Sequence, residues 1–349
     1  MEGGVGISSY SRNSSNQGSA FLLIAPALRV AIAAHDFADH TAAPLRIADL
    51  GCAVGSNTIT AVAFVIKAVR DKFKSSGLRE PEVQALFSDL VSNDFNTLFQ
   101  HLEGADFFVA GVPGSFYHRL FPSSSIHFSM CNVALQWLSK ASERFLSHLF
   151  QRPWLTEDLR PGTLEESLLE DQHQRLLERS RRKPTKISAA TWLVELKRLS
   201  LAASSPSSLK RTNPLCFAQG LIDEETRDSF NIPAYHRTLD EIAKAVSDSG
   251  DVFTILQLEE LKCPMPTYAS VKAKVEAGGG KAPTPQEYAG IETMAMKSTM
   301  KKQIEAHLKT PDLVEALFKR LEERFLPKEP YVPARHVKMA LAILERGSK

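Results

Sequence analysis

Short apolar runs alternate with amphipathic helical patterns along the N-terminal part of the chain. Strand-like runs are predicted at 45–50, 83–87, 105–112 and 126–128. After the first of them, apolar residues recur at the spacing of one helix face, at positions 62, 65, 66, 69 and 73. The apolar stretch 20–34 is predicted to be a core helix. Strands that alternate with helices favour an α/β fold, with a mostly parallel sheet that helices cover on both faces.

Helical patterns dominate the second half of the chain. They are predicted at 164–183, 287–323 and 334–345, and the strand-like candidate in this half is 191–194. The segments 202–213 and 264–286 are predicted to be loops, the second a mobile one at the surface, because it is rich in glycine and proline. These patterns predict a nucleotide-binding core over residues 1–140. Residues 141–349 would supply the remainder of the core and a helical cap.

Composition and charge are those of an ordinary globular protein. Hydrophobic residues make up 43% of the 349 residues, charged residues make up 23%, and the formal net charge is +2. This balance gives no reason to expect nucleic acid or a membrane as a partner. The basic helix end at 175–183 has no interleaved aromatic residues and is interpreted as a solvated helix face. The stretch 20–34 is too short for a membrane span and is interrupted by Pro26 and Arg29.

The cysteines and the N-terminus indicate the compartment. No C-x-x-C pair occurs, so neither a zinc site nor a disulfide framework is predicted for the four cysteines, Cys52, Cys131, Cys216 and Cys263. The N-terminus stays polar to Gly18, without the basic and apolar regions of a leader peptide. The sequence therefore predicts a cytoplasmic protein in a reducing compartment.

The segment between the first strand and the first amphipathic helix carries the clearest chemical signal. It has the form D-x-G-x-x-x-G from Asp49 through Gly51 to Gly55, and a second acid, Asp89, ends the next strand. Glycines allow a ligand to approach the backbone closely. A carboxylate suits the sulfonium and amino groups of S-adenosyl-L-methionine (SAM), and the ribose hydroxyls of SAM need an acceptor such as Asp89. Two other interpretations stay open: the glycines could serve tight packing, and Asp89 could cap a helix.

Several separated motifs occur in a fixed order along the chain, at 3–17, 48–58, 88–96, 111–117, 135–139 and 228–233. Together they resemble the plant SABATH methyltransferases, which methylate salicylate, benzoate, jasmonate and related acids, or xanthine nitrogens. The resemblance covers residues 1–139 closely and 214–349 loosely. It implies a Rossmann-like SAM-dependent methyltransferase core with a helical cap, an N-terminal segment that closes over the substrate, and a homodimer.

The resemblance also implies site residues. The SAM contacts would be Tyr10, Asp49, Gly51, Cys52, Asn57, Asp89, Leu90, Ser115 and Phe116, with Asp89 and Leu90 at the ribose and Ser115 and Phe116 at the adenine. Gln17 and Trp137 would hold the carboxylate of the substrate, and Val133 and Gln136 would line its pocket.

The chemistry of these side chains agrees with that assignment. An amide N–H and an indole N–H donate hydrogen bonds without bringing a charge that competes with the carboxylate. Because a carboxylic acid is already ionised near neutral pH, no catalytic acid or base is predicted, and positioning alone would support direct transfer. We therefore expect methyl ester formation on a small-molecule carboxylic acid of the salicylate, benzoate, cinnamate or jasmonate type.

The segment 140–213 departs from the family pattern. It lacks the asparagine-lysine-glycine element and the proline-glycine-glycine turn of the family, and the departure affects the fifth sheet strand and part of the pocket roof. Glu2 and His118 also differ from the residues that are usual there. The resemblance implies a magnesium site near Asp228, the carbonyl of Phe230, and Asn231, whose oxygens suit a hard cation. Alternatively, Asp228 and Asn231 cap a turn.

Three other functions stay open. The chain could methylate a heterocycle nitrogen, or it could be a catalytically weakened paralogue that binds SAM or a small acid. A nicotinamide-binding protein is disfavoured, because the loop does not have the form G-x-G-x-x-G and the second acid follows the next strand.

Overall fold

A computed structural model describes residues 3–4, 6–37, 44–138, 220–230, 234, 236–250, 252–265, 267–326 and 336–347, except the side chains of residues 16, 224 and 228. Of residues 190–196 it describes the backbone. The strands are β1 Leu45–Leu50, β2 Val83–Asp89, β3 Phe108–Pro113, β4 Phe128–Asn132, β5 Ala190–Leu196, β6 Phe253–Pro264 and β7 His336–Arg346. The helices are α1 Ser15–Ala34, α2 Ser56–Ser75, α3 Phe95–Gln100, α4 Glu224–Ser229, α5 Leu239–Asp248, α6 Tyr268–Ala277, α7 Pro285–Leu308 and α8 Pro311–Phe325. A short 3-10 turn, Tyr10–Arg12, precedes α1.

The strands form one sheet in the order β3-β2-β1-β4-β5-β7-β6. The strands β1 to β5 pair in parallel, and β7 runs antiparallel between β5 and β6. The chain passes from β1 outward to β3 and then returns to the other side of β1 as β4. In sheets of this kind, ligands bind beyond the carboxyl ends of the strands at the point where the order reverses. The fold therefore places a site at the ends of β1, β2 and β4.

The helix α2 confirms the amphipathic pattern read from the sequence. Its buried side chains recur every three or four positions and pack into the main core, and they include Val62, Val65, Ile66, Val69 and Phe73. The helix α1 packs against α2 and contributes buried residues such as Ile24, Leu28 and Ile32 to the same core. Within the described residues, one segment, Gln17–Ala34 of α1, is long and apolar enough to cross a membrane by length and composition.

A second hydrophobic cluster lies between α7 and α8. Its buried side chains come from both helices and from the residue after α4, and they are Phe230, Met300, Ile304, Leu308, Val314, Leu317, Phe318 and Leu321. Trp137, which follows β4, packs against this cluster. The predicted helical pattern at 287–323 is thus confirmed as two helices, separated at Lys309, whose φ of +55° lies in the left-handed region.

The helix predicted at 334–345 is wrong, since the described part of this range, 336–345, lies in β7. The strand lies inside the sheet, and its residues 339–343 are at most 1% exposed. A strand buried on both faces is apolar at nearly every position, so its sequence lacks the alternation that distinguishes a strand from a helix. The sequence analysis did not predict β6, which pairs with β7. Most residues of β6 are neither fully buried nor fully exposed, so this strand too lacks a regular alternation of apolar and polar residues.

Other segments also differ from the sequence-based expectation. The segment 264–286, predicted as a loop, contains α6, which begins with a capping box at Thr267 and ends before the glycines at 278–280. The strand β4 begins at Phe128, where the prediction ended, and β3 begins at Phe108. The candidate at 191–194 lies within β5, which pairs with β4 and β7, so the fifth strand is present. The predictions for 164–183 and 202–213 lie outside the described residues.

The interior position of β7 makes a testable prediction. Leu341 is fully buried, so Leu341→Ala is expected to lower the free energy of unfolding by about 2–5 kcal/mol in urea denaturation. Leu256→Ala on β6 is the control, because this leucine is 49% exposed and should cost less than about 1 kcal/mol. Equal losses for the two variants would contradict the placement of β7 inside the sheet.

Candidate functional site

Asp49 ends β1 as a carboxylate enclosed by the protein. Its side chain is 2% exposed, and Thr58 Oγ1 in the first turn of α2 donates a hydrogen bond to its Oδ2. Oδ1 is buried without a hydrogen-bond partner among the described residues. Burial, together with the neighbouring carboxylate of Asp89, raises the pKa of Asp49 to about 7. A buried oxygen of this kind is suited to a cationic ligand group.

The loop from Gly51 to Gly55 closes tightly over the ends of β1 and β2. The backbone N–H groups of Gly51 and Cys52 donate to the carbonyl of Ser88, at 2.8 and 3.0 Å. Gly51 has a φ of +79°, and a Cβ at this position would overlap the Cβ of Ala134. Ala53 also lies in the left-handed region, with a φ of +54°. The loop therefore needs glycine at position 51 because the backbone packs against Ala134, which supports the tight-packing interpretation of this glycine.

Asp89 ends β2 and holds this loop. Its Oδ2 accepts from the N–H of Ala53 and its Oδ1 from the N–H of Leu90, each at 2.7 Å. Burial raises the pKa of Asp89, although both of these hydrogen bonds oppose the shift. Each carboxylate oxygen keeps a lone pair for a hydroxyl group. Asn93, which the sequence analysis did not single out, donates through Nδ2 to the carbonyl of Ala53 at 3.0 Å.

The N-terminal segment lies across the same loop. Burial raises the pKa of the Tyr10 phenol, and the negative charges of Asp89 and Asp49 raise it further, so Tyr10 lies within electrostatic reach of both acids. Burial, and after it the carboxylates of Asp49 and Asp89, also raise the pKa of the Cys52 thiol. Asn57 Nδ2 donates to the carbonyl and the hydroxyl oxygen of Ser14, at 2.7 and 2.9 Å. The contact between Ser14 and Asn57, a predicted SAM contact, joins the N-terminal segment to the first turn of α2, directly after the loop that follows β1.

The connection after β3 reaches the opposite side of the loop. An aromatic carbon of Phe116 would lie 3.9 Å from a Cβ at Gly51, and the rings of Phe116 and Tyr117 are 5.0 Å apart. Ser115 Oγ accepts from the N–H of Tyr117 at 3.3 Å. The hydroxyl of Tyr117 donates to the carbonyl of Trp137 at 2.8 Å, which links the residues predicted at the adenine to the residue predicted at the substrate.

The turn after β4 carries the predicted substrate residues. Val133 has a φ of +52°, and Gln136 Nε2 donates to its carbonyl at 2.9 Å. Gln136 is buried, and its Oε1 has no hydrogen-bond partner among the described residues. A β-branched residue in the left-handed region costs about 1–3 kcal/mol and is typical of functional sites.

Trp137 and Gln17 keep donors available. Trp137 forms an antiparallel bridge with Ala234 and packs on the α7–α8 cluster, while its indole N–H bonds to no described residue. Gln17 stands in the first turn of α1, directly before Gly18, whose Cβ position would lie 2.7 Å from Asn57 Oδ1. The amide of Gln17 likewise bonds to no described residue. These contacts place Gly18, the neighbour of Gln17, beside Asn57 and place Trp137 beside Tyr117. Among the described residues, no contact joins Gln17 with Trp137.

Of the predicted metal residues, the structure describes Phe230, which follows α4. Phe230 is buried against His307, with ring centroids 5.2 Å apart. The side chain of Asp228 and the whole of Asn231 lie outside the described residues. Among the residues that the structure describes, no group of three or more His, Cys, Asp and Glu residues could hold a metal ion. Magnesium at this position stays a prediction.

The fold and the site together define a class of protein. A sheet that reverses between β1 and β4, an acid at the end of β1, a glycine loop and a second acid at the end of β2 fit SAM. Asp49 offers a buried oxygen without a partner among the described residues, the glycine loop lies against the ends of β1 and β2, and Asp89 offers acceptors for ribose hydroxyls. This class is the SAM-dependent methyltransferases.

Comparison with known proteins agrees with this class. The family described as "SAM dependent carboxyl methyltransferase" matches residues 1–154 and 206–345. The gibberellic acid methyltransferase 2 of Arabidopsis thaliana is 32% identical over 360 residues, which cover 95% of this chain and 90% of that protein. A 3,7-dimethylxanthine N-methyltransferase of Camellia sinensis var. assamica is also 32% identical and covers 74% of this chain and 76% of its own length.

A solved structure shows the same architecture over the whole chain. It is a loganic acid methyltransferase with S-adenosylhomocysteine (SAH), with a TM-score of 0.70, 26% sequence identity, and coverage of 100% of this chain and 99% of that one. The chain belongs to the SAM-dependent carboxyl methyltransferase family, the SABATH family, and is a SAM-dependent enzyme. The family match omits 155–205, which lies within the segment 140–213 that the sequence analysis found atypical.

Proposed function

We propose that this enzyme forms the methyl ester of a small-molecule carboxylic acid, whose carboxylate is held by Gln17 and Trp137. The observation that carries the proposal is the Trp137 indole, whose N–H bonds to no residue that the structure describes and which packs beside the apolar α7–α8 cluster. A donor next to an apolar surface suits a ligand with a carboxylate on an apolar body. SAM supplies an electrophilic methyl group, and the carboxylate oxygen attacks this carbon as the carbon–sulfur bond breaks.

The remaining residues position the reactants. Asp49 offers its unpartnered oxygen to the cationic part of SAM, Asp89 accepts from the ribose, and Phe116 covers the loop from the side of β3. Tyr117 fixes the backbone of Trp137 through its hydroxyl, which sets the direction of the indole. The reaction consumes an ionised acid and releases no proton, so it needs no base. Positioning and exclusion of water then supply the rate.

The relatives include enzymes named for a carboxylic acid and enzymes named for a heterocycle nitrogen, so the experiment must distinguish methylation of oxygen from methylation of nitrogen. The Arabidopsis relative is named for gibberellic acid and the Camellia relative for a xanthine nitrogen. Methyl-labelled SAM should be incubated with pooled benzoates, cinnamates, jasmonate, indole-acetate and gibberellins, and separately with xanthines, and each extracted product should be treated with mild alkali. Label that alkali removes supports an ester. Label that survives alkali and forms from xanthines would contradict the proposal and favour N-methylation.

Two conservative variants test the carboxylate contacts. Trp137→Phe keeps an aromatic ring and removes the N–H, and Gln17→Met keeps the length and removes the amide. Each should lower kcat/KM for the acid by about tenfold to a hundredfold, because a hydrogen bond to a charged group is lost. The affinity for SAH, measured by calorimetry, should stay unchanged in both. Full turnover by both variants would show that the assigned carboxylate contacts are wrong.

We propose further that the enzyme is a cytoplasmic homodimer that acts without nucleic acid or membrane partners. The resemblance to the SABATH family supports the dimer, the widely spaced cysteines support a reducing compartment, and the net charge of +2 gives no reason to expect nucleic acid or a membrane as a partner. Gel filtration with light scattering would test the dimer directly.

A further inference from the structure

Asp94 lies where the N-terminal segment meets the connection between β2 and α3. Its Oδ2 accepts a hydrogen bond from the N–H of Gly4 at 2.7 Å, although 90 residues separate the two in sequence. The same carboxylate caps α3: Oδ1 accepts from the N–H of Thr97 at 3.0 Å, and Oδ2 from Thr97 Oγ1 at 2.6 Å. These hydrogen bonds hold the pKa of Asp94 below its ordinary value. The carboxylate therefore serves a helix and a distant backbone segment at once.

The backbone at Gly3 approaches Asp94 so closely that it requires a glycine. A Cβ at Gly3 would lie 2.7 Å from both Cβ and Oδ2 of Asp94. Such distances are shorter than real Cβ contacts, so any side chain would push the segment away. Gly6, three residues further along, has open space where its Cβ would be. The need for glycine is thus specific to the contact with Asp94.

From Gly4 the segment continues over the loop that follows β1. Ser11 Oγ donates to the carbonyl of Gly4 at 3.4 Å, and Ser11 packs on Gly55 so closely that a Cβ at Gly55 would lie 2.8 Å from the Cβ of Ser11. Between these contacts lies Tyr10, which is within electrostatic reach of Asp49 and Asp89. The Asp94 contact is therefore the outer anchor of a segment that covers both acids.

We propose that Asp94 is a positioning residue that fastens the N-terminal segment, residues 3–14, over the SAM site. The residue before it, Asn93, donates to the Ala53 carbonyl. The connection between β2 and α3 therefore binds both the loop that follows β1 and the N-terminal segment that lies across this loop. Asp94 acts through Tyr10, which the segment carries onto the two acids, and through Gln17, which follows the segment in α1. The role at Gln17 rests on the proposed function, whereas the role at SAM does not.

The variant Asp94→Asn separates the two tasks of the carboxylate. The amide Oδ1 can still accept from the N–H of Thr97, and Nδ2 can donate to Thr97 Oγ1, so the cap of α3 is kept. Nδ2 cannot accept from the N–H of Gly4, so the contact with the segment is lost. Thr97→Val is the matched control, because it removes one hydrogen bond of the cap and leaves Gly4 its acceptor.

Amide exchange at Gly4 reads the contact directly. In protein labelled with [15N]glycine and saturated with SAH, the Gly4 amide should exchange about tenfold faster in Asp94→Asn than in the parent, with the Gly6 amide as internal reference. The Kd for SAH should rise about tenfold in Asp94→Asn, and the KM for SAM should rise more than kcat falls. Thr97→Val should leave all three near the parent values.

A second pair of variants approaches the same contact from the other side. Gly3→Ala should reproduce the weaker SAH binding of Asp94→Asn, and Gly6→Ala should not. Unchanged Gly4 exchange and SAH affinity in Asp94→Asn would overturn the proposal, and so would equal losses in Asp94→Asn and Thr97→Val. If no acid is methylated but Asp94→Asn still weakens SAH binding, the proposed function fails while the role of Asp94 stands.

Discussion

Replacing Gly51 with alanine is expected to abolish SAM binding. The added Cβ would overlap Ala134 in the turn after β4, and the φ of +79° is unfavourable for any residue with a side chain. Relief of the overlap requires the loop or the turn to move, and both carry groups of the site. The loop bears the Ala53 amide that Asp89 holds, and the turn precedes Trp137. We expect SAH affinity to fall by more than a hundredfold in calorimetry.

The matched control for this variant is Gly104→Ala. Gly104 has the same φ of +79° but open space at the Cβ position, and it lies on the exposed turn between α3 and β3. It should lower the free energy of unfolding by about 1–2 kcal/mol, which is the backbone cost alone, and leave SAH affinity unchanged. Gly51→Ala should cost about 1–3 kcal/mol more through overpacking. Equal destabilisation and intact binding in the two variants would show that the approach of Gly51 to Ala134 does not matter.

The sequence features that predicted the elements around the site are local. Asp49 is the last residue but one of β1 and Asp89 the last of β2, and the apolar run of each strand is bounded by glycine or polar residues, while α2 shows its period plainly. The parallel pairing of β1 with β2 then brings the two acids to one edge of the sheet. The order of elements along the chain was therefore sufficient to predict that Asp49 and Asp89 lie at the same edge of the sheet.

The contacts that close the site join residues far apart in sequence, and no local pattern announces them. Asp94 and Gly4 are 90 residues apart, and Asn57 and Ser14 are 43 residues apart. Asn93 and Asp94 lie in the motif 88–96, from which the resemblance implied a SAM contact only at Asp89 and Leu90. The hydrogen bonds of Asn93 to Ala53 and of Asp94 to Gly4 depend on the fold and could not be predicted from the motif. The strand β7 was missed for a different physical reason, since burial on both faces erases the period on which the helix–strand distinction depends.

The pKa of Asp49 could not be predicted from the sequence, because it depends on burial in the fold. From this pKa we expect the free energy of unfolding to fall, and the affinity for SAM to rise, as the pH increases. In the SAM-free enzyme the pKa of this carboxyl is about 7, whereas its ordinary value is 3.8. As pH rises from about 4 to 7, the unfolded chain loses this proton and the folded enzyme keeps it, so the free energy of unfolding falls. Above about pH 7 the carboxyl is ionised in both states and the loss is complete.

Asp49→Asn cannot ionise and should escape this loss. Thr58 Oγ1 can still donate to the asparagine oxygen, so the site should remain packed. In urea denaturation without SAM, Asp49→Asn should therefore gain stability over the parent as pH rises from 5 to 8. Thr58→Val is the control, because it removes the hydrogen bond that favours ionisation and leaves the carboxyl in place. A variant that is less stable than the parent at pH 8 would contradict the assignment.

Binding should show the reverse order. The cationic groups of SAM are attracted to the ionised carboxylate, so the affinity of the parent should rise up to about tenfold per pH unit below pH 7 and level off above it. Asp49→Asn should bind SAM at least tenfold more weakly at pH 7.5, with little dependence on pH between 5.5 and 7.5. Calorimetry in buffers of different ionisation enthalpy should detect a proton released on binding at pH 6 by the parent and none by the variant. The same carboxylate would then destabilise the empty fold and stabilise the complex, because burial opposes its charge until the ligand supplies the opposite one.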